Sequence, residues 1–321
     1  MKLVNFEVEG KTCLGAVKSN LIVNIPLAFD MVINRVVKFE SKTTRSQARH
    51  LIVESGLPAE NVIQLLDRSD VWLLALNEIL DGVLEFFRGD LALDRLFVSL
   101  TGAKLLAPIP RPGKIICVGR NYAEHARERG SEIPTQPIFF LKSNNTICGP
   151  GDAIVIPPTS QQVDYEAEFA VVIGKRGKNI PEESAYEHVA GYMMMNDVSA
   201  RDMQSADKQW FRGKSCDTFA PIGPWIVTKD EIPDPHSLRI SLTLNGQTMQ
   251  DSNTGNMIFR IPFLISYLSR SMTLEPGDII STGTPEGVGA SRTPPLFLKP
   301  GDVVSITVEK IGTLTNPVTA A

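Results

Sequence analysis

The chain has 321 residues, enough for a sizeable core and two unequal domains. Its 43% hydrophobic and 21% charged content is that of an ordinary soluble globular protein, not a disordered or fibrous one. A net charge of −4 argues against nucleic acid or an anionic membrane as the main partner.

Residues 1–30 read as short strands, Leu3–Val8 and Asn20–Ile25, punctuated by turns such as Glu9-Gly10-Lys11. Residues 31–90 turn helical, with apolar residues three and four apart. The most apolar run, Val71–Phe87, carries Glu78, Asp81 and Glu85, which is wrong for a membrane span. With Trp72, Leu76, Ile79, Val83 and Phe87 at helical spacing it reads as an amphipathic core helix. His50 reads as an ordinary helix histidine. Nothing chemically capable clusters here, so residues 1–105 are expected to form a small α+β accessory domain. Cys13, Cys117, Cys148 and Cys216 show no close pair spacing, and no N-terminal signal pattern is evident. Together they favour a reducing cytoplasm.

The Pro- and Gly-rich stretch Ala107–Gly113 breaks both helix and central strand and marks the boundary to a second domain, 106–321. Ile115–Gly119 resumes as a buried strand and runs into Arg120-Asn121-Tyr122. A helical turn over 122–129 puts His125 and Glu128 on one side, where a carboxylate orients an imidazole and raises its basicity. The alternative is a surface His–Glu pair. Ile138–Lys142 is another strand, and Ser143–Gly151 a polar loop.

Val163–Gly174 then alternates, with Asp164, Glu166 and Glu168 at every second position. A strand places the three acids on one face, roughly 6.5 Å apart. Like charges beside a buried strand repel one another unless something cationic sits among them, so a cation site is the better reading over a solvated acidic edge. Residues 182–189 read as a helix. Met193–Asp197 is a buried strand ending in an acid, which needs a partner. Val198–Gln204 reads as a helical turn presenting Arg201 and Gln204 to an anion. Lys214, between Gly213 and Ser215 with aromatics upstream, is either a partly buried lysine aimed at an anion or a plain loop residue. Cys216 lacks a nucleophile motif.

From Trp225 the pattern is mostly β: Ile226–Thr228, then Leu238–Leu244 and Thr248–Gln250 about an Asn245-Gly246 turn. Met257–Ser269 reads as an amphipathic helix, Ile279–Thr282 as a strand, and Val303–Val308 as the last strand. The Gly-rich loop Thr282–Gly289 matches neither the P-loop nor the dinucleotide pattern, but Thr284 and its backbone N–H groups suit a carboxylate. His188 and His236 sit in ordinary structural contexts.

Taken together, Gly119-Arg120-Asn121-Tyr122 with His125 and Glu128, Asp164-Tyr165-Glu166-Ala167-Glu168, Asn196–Asp202, Gly213-Lys214-Ser215 and Thr282-Gly283-Thr284-Pro285 resemble the fumarylacetoacetate hydrolase family over about residues 105–315. The single-chain members, including oxaloacetate decarboxylases and acylpyruvases, are the nearer match. The resemblance implies a mixed α/β, mostly β fold, a β-roll catalytic domain beside the small N-terminal one, and a homodimer. It implies Mg²⁺ or Mn²⁺ held by Glu166, Glu168 and Asp197. His125, Glu128 and Lys214 are its catalytic candidates, the first two on a mobile lid. Arg120, Tyr122, Arg201, Gln204 and Thr284 are its candidates for contact with a small anionic 2-oxo acid. Three carboxylates suit a hard cation, whereas zinc more often recruits His or Cys.

The expected reaction is metal-dependent C–C cleavage through a metal-stabilised enolate, either decarboxylation of oxaloacetate or hydrolysis of an acylpyruvate or fumarylpyruvate. The alternatives are an isomerase or hydrolase of aromatic- or sugar-acid breakdown, and a metabolite-binding protein that keeps the metal site without turnover. The His125–Glu128 pair speaks against the last.

Overall fold

The computed structural model describes residues 1–34, 61–66, 70–87 and 95–321. Chain contacts divide them into two compact units, Met1–Leu106 and Ala107–Ala321. In the first unit, strands β1 (Lys2–Val8), β2 (Lys11–Lys18), β3 (Leu21–Asn24), β4 (Phe97–Ser99) and β5 (Lys104–Leu106) form an antiparallel sheet in the order β4-β3-β2-β1-β5. Strand β2 lies between the two strands named from the sequence and has Gly15 at its centre. The side chains of Ile22 and Phe6 occupy the space its Cβ would take.

The amphipathic run is a helix, Asp70–Phe87, with Leu76, Leu80 and Val83 buried and Glu78, Asp81 and Glu85 exposed. His50, much of the helical reading of 31–90 and the side chains of Trp72 and Phe87 lie outside the described residues. Among the described residues no helix is long and apolar enough to cross a membrane.

The second unit is mixed and mostly β. Its strands are β6 (Ile115–Gly119), β7 (Ile138–Lys142), β8 (Ile147–Cys148), β9 (Ile154–Ile156), β10 (Val163–Asp164), β11 (Ala167–Ile173), β12 (Val189–Asn196), β13 (Ser199–Ala200), β14 (Ala220–Thr228), β15 (Arg239–Leu244), β16 (Gln247–Asn253), β17 (Ile279–Ser281), β18 (Val303–Val308) and β19 (Gly312–Ala320). One sheet runs β14-β12-β11-β17-β6-β7, antiparallel except for the parallel β17–β6 pair. The other runs β16-β15-β18-β19-β9. Strands β11 and β12 are buried along their whole length, and Phe169 stacks on Tyr192 at 5.1 Å between centroids.

The structure corrects several sequence expectations. The acidic strand is two strands: Tyr165 and Glu166 leave the ladder between β10, which pairs β13, and β11, which pairs β12. There the Glu166 N–H donates to the Asn196 side chain at 3.0 Å, and the Glu166 carbonyl accepts from the Asp197 N–H at 2.9 Å. The segment 182–188 is a 3₁₀ turn, and the helix after β12 begins only at Arg201. The last strand is β19, beyond Val303–Val308, and it contains Asn316 and Pro317. Leu314, Asn316 and Val318 alternate inward, and Asn316 Nδ2 satisfies the carbonyls of Gly149 and Asp152.

Candidate metal centre

The register of β11 against β12 builds the site. It sets Glu168 opposite Met195 and Ala167 opposite Asn196, so Glu166, just before one strand, and Asp197, just after the other, meet at one end of the pair. Glu166, Glu168 and Asp197 are buried and offer three ligand oxygens within 4.8 Å of one another. Asp164, the remaining acid of the alternating run, is diverted to scaffolding. Its carboxylate accepts from the backbone N–H groups of Tyr165, Gly289 and Ala290 at 2.9, 2.8 and 3.0 Å, and from Arg201 Nε at 2.9 Å.

Three buried cations answer the acids. Lys214 Nζ lies 2.6 Å from both Glu166 Oε2 and Asp197 Oδ2. Arg201 gives Nη2 to Glu166 Oε1 at 2.6 Å, Nε to Asp164 and Nη1 to Gln204 Oε1 at 3.2 Å. The third, Lys142 at the end of β7, donates to Asp197 Oδ1 at 2.6 Å and to the Val198 carbonyl at 3.1 Å. Sequence reasoning missed Lys142, although a lysine closing an apolar strand is the same signal as an aspartate closing one.

The carboxylates are not equivalent. Burial pushes Glu166 up, but Arg201 and then Lys214 overcome it and hold the carboxyl well below the usual range. Glu168 goes the other way: burial first, then the charges of Asp197 and Glu166, raise it well above the usual value. Ser281 Oγ at 2.5 Å and the Gly283 N–H at 3.0 Å are its hydrogen-bond donors. The oxygen-only donor set fits a hard divalent cation.

His125 is buried, and its Nδ1 lies 2.8 Å from Glu128 Oε1, while Glu128 Oε2 accepts from the Gly287 N–H at 2.8 Å. A carboxylate at Nδ1 keeps the proton there and leaves Nε2 as the acceptor. His125 lines a cavity of about 310 Å³ with the three acids, Arg120, Arg201, Gln204, Lys214 and Thr284. The Thr284 hydroxyl accepts from Gln250 Nε2 at 2.9 Å. Tyr122 is placed elsewhere. It is fully buried in the apolar core, off the cavity lining, and its hydroxyl has no partner among the described residues. The neighbouring Asn121 is a structural knot, bonding Phe259 on both backbone groups and the Thr282 carbonyl.

Arg129, Ser131, Lys208 and Trp210 also line the cavity, and no pattern in the sequence marks them. Trp210 packs edge-on against Phe140 at 5.2 Å and carries the Arg120 guanidinium 5.8 Å above its ring. A Cβ at Gly119 would fall on the Trp210 ring. Gly119→Ala is therefore expected to destabilise the protein by about 1–3 kcal/mol through overpacking and to displace Trp210 from Arg120. Urea unfolding with tryptophan fluorescence checks this; unchanged stability and emission would mean that the ring yields freely.

A mostly β fold around a buried carboxylate triad that fits a metal ion is the class of protein described, and comparison with known proteins gives its family. Residues 114–319 match the model of the fumarylacetoacetate (FAA) hydrolase C-terminal family, and the chain belongs to that family. It is 45% identical over 289 residues to a protein named oxaloacetate tautomerase, mitochondrial, from Xenopus laevis, covering 88% of this chain and 90% of the relative. It is similar to the solved fumarylacetoacetate hydrolase of Exiguobacterium antarcticum, with TM-score 0.75, 34% identity and full coverage of both chains. The maleylpyruvate hydrolase of Sphingobium sp. SYK-6, solved with manganese(II) and pyruvate, matches with TM-score 0.70 and 29% identity, again over both whole chains.

Proposed function

We propose that this chain interconverts the keto and enol forms of oxaloacetate, or of a close 2-oxo dicarboxylic acid, with Mg²⁺ or Mn²⁺ bound. The observation that carries this reading is the buried Glu166–Glu168–Asp197 cluster in a cavity whose other charged lining is cationic, with His125 beside it. The name of the Xenopus laevis relative supports the choice of reaction.

Glu166, Glu168 and Asp197 would hold the cation; Lys214, Lys142 and Arg201 keep Glu166 and Asp197 in place, and Ser281 Oγ and the Gly283 N–H keep Glu168. When bound, a divalent cation supplies Lewis-acid polarisation of the 2-oxo group and so acidifies the C3 protons. His125 Nε2 is the base for a C3 proton and delivers it to the 2-oxo oxygen to give the enol, with the reverse transfers giving the keto form, while Glu128 holds the Nδ1 proton and steadies the imidazolium. Phe140 and Trp210 line one wall of the cavity and pack edge-on against each other.

C–C cleavage is the second reading, favoured by the same His125–Glu128 pair, which can equally take a proton from water. The maleylpyruvate hydrolase neighbour supports it. Following the decay of enol absorbance in oxaloacetate, with Mg²⁺ or Mn²⁺ and with EDTA, tests the first reading, and pyruvate formation in the same samples reports cleavage. No catalysed tautomerisation with either metal would sink the first reading.

His125→Ala is expected to lose about 10²–10⁴-fold in tautomerisation and in hydrolysis of an acylpyruvate. Decarboxylation of oxaloacetate needs no water attack and should suffer less. Equal losses in all three assays would reduce the pair to positioning the substrate.

The four cysteines are unpaired, which suits a reducing compartment, either the cytoplasm or the mitochondrial interior that the name of the Xenopus laevis relative suggests. The homodimer implied by the family resemblance remains part of this proposal, with light scattering as its test.

A further inference from the structure

The cavity holds two kinds of cation. Lys142, Lys214 and Arg201 are consumed by the buried acids. Arg120, Arg129 and Lys208 line the same cavity, and among the described residues none of these three has a hydrogen bond or ion pair through its side chain. Stacking over Trp210 orients the Arg120 guanidinium without occupying its N–H donors. Arg120 and Lys208 also stand on left-handed backbone, φ 57° and 56°, a costly conformation for a residue with a Cβ and one that gathers at functional sites. Arg129 is exposed as a residue, yet desolvation on its cavity side and then the nearby Arg201 lower its pKa. A guanidinium beside another guanidinium, with no anion of its own, is relieved by an incoming carboxylate.

A 2-oxo acid whose carboxylate and 2-oxo oxygen lie at the acidic cluster must direct its other end into the rest of this small cavity. We propose that Arg129, together with Arg120 and Lys208, binds the distal carboxylate of the substrate, so that the site selects dicarboxylic over monocarboxylic 2-oxo acids. This rests on the reading that Glu166, Glu168 and Asp197 hold a cation facing the 2-oxo acid end. Arg129 and Lys208 are thus specificity-determining residues, and with Arg120 they form a cationic part of the lining that draws in a distal carboxylate.

The test is calorimetric titration of the Mn²⁺-loaded protein with malate and with lactate. Both present the same 2-hydroxy acid end, neither has an enolisable ketone, and only malate has a distal carboxylate. The wild type is expected to bind malate at least about 10-fold more tightly than lactate. Arg129→Leu should weaken malate about 10–100-fold and leave lactate unchanged. Lys208→Met, at an exposed position that does not threaten the fold, should weaken malate alone by a smaller factor.

Equal affinities in the wild type, or parallel loss of both ligands in the variants, would overturn the proposal. Failure of the tautomerase reading looks different: no catalysed enol decay, with the preference for malate intact. Binding of neither ligand would defeat both.

Discussion

Glu168→Gln is expected to lower metal-dependent turnover by about 10²–10⁴-fold, the equivalent of roughly 3–5 kcal/mol of transition-state stabilisation, while leaving the fold intact. Glu168 lies at the start of β11, and its side chain is held by Ser281 Oγ and the Gly283 N–H rather than by a basic residue. Among the three acids it is the one whose carboxyl is raised by burial and then by its acidic neighbours. Glutamine keeps the shape and one acceptor oxygen but removes the charge that makes the oxygen a good ligand for a hard cation. Glutamine is neutral, as is the protonated carboxyl that burial and the acidic neighbours favour in the apo protein, so thermal stability without metal should hold.

Because Glu168 must give up its proton to coordinate, binding of Mn²⁺ to the wild type should release a proton and tighten as pH rises. Both effects should shrink in the variant. Calorimetry with Mn²⁺ in buffers of different ionisation enthalpy reads affinity and proton release together. Undiminished affinity in Glu168→Gln would remove this residue from the metal site.

Lys214→Met should be costly in both stability and activity. The ammonium is buried, bridges Glu166 and Asp197 at 2.6 Å each, and lies 5.1 Å from the Phe140 ring. Burial disfavours its charge, yet Asp197 and Glu166 outweigh that and raise its pKa, so it stays protonated in the folded state. Removing one member of a buried ion network leaves the others uncompensated and typically costs about 3–5 kcal/mol. In a unit of this size each kcal/mol lowers Tm by roughly 2–4 °C.

Excess Mn²⁺ should restore part of that Tm, because a cation that binds only the folded state stabilises it by mass action. Turnover should stay low, by roughly 2–4 kcal/mol in kcat/KM. An unchanged Tm and unchanged kinetics would return Lys214 to the status of an ordinary loop residue.

Glu166, Glu168 and Asp197 were legible because their chemistry contradicts their surroundings: acids alternate into a buried run, and another closes one. Lys142 carries the same contradiction, a charge closing the apolar run Ile138–Lys142, but a single terminal lysine can also reach solvent, so the pattern alone does not bury it. Arg201 shows the opposite limit. Its type and place pointed to an anion, but in the fold its guanidinium is occupied by Asp164, Glu166 and Gln204 of this chain. Tyr122 belongs to the motif that carries the family likeness, yet it packs into the core, because its neighbour Asn121 ties that turn to Thr282 and Phe259. Arg129 and Lys208 had no signal at all: charged residues in polar segments look the same whether they face solvent or a cavity.

Residue patterns by themselves pointed to a carboxylate-rich candidate cation site and to the imidazole–carboxylate pair, since alternation, strand ends and i, i+3 spacing act over a few residues. The class of fold and the full ligand set came from the family likeness of the motifs. Alternation alone did not separate Asp164 from Glu166 and Glu168; the tertiary structure decided that Asp164 is scaffold and brought Asp197 to the other two. That choice depends on the break in the ladder at Tyr165–Glu166 and on the antiparallel register that sets Ala167 opposite Asn196. Which cations are spent on the protein's own acids, and which remain free to meet a substrate, likewise follows from side chains separated by long stretches of chain. Distance in space between such groups is set by packing, and no local pattern of residue types records it.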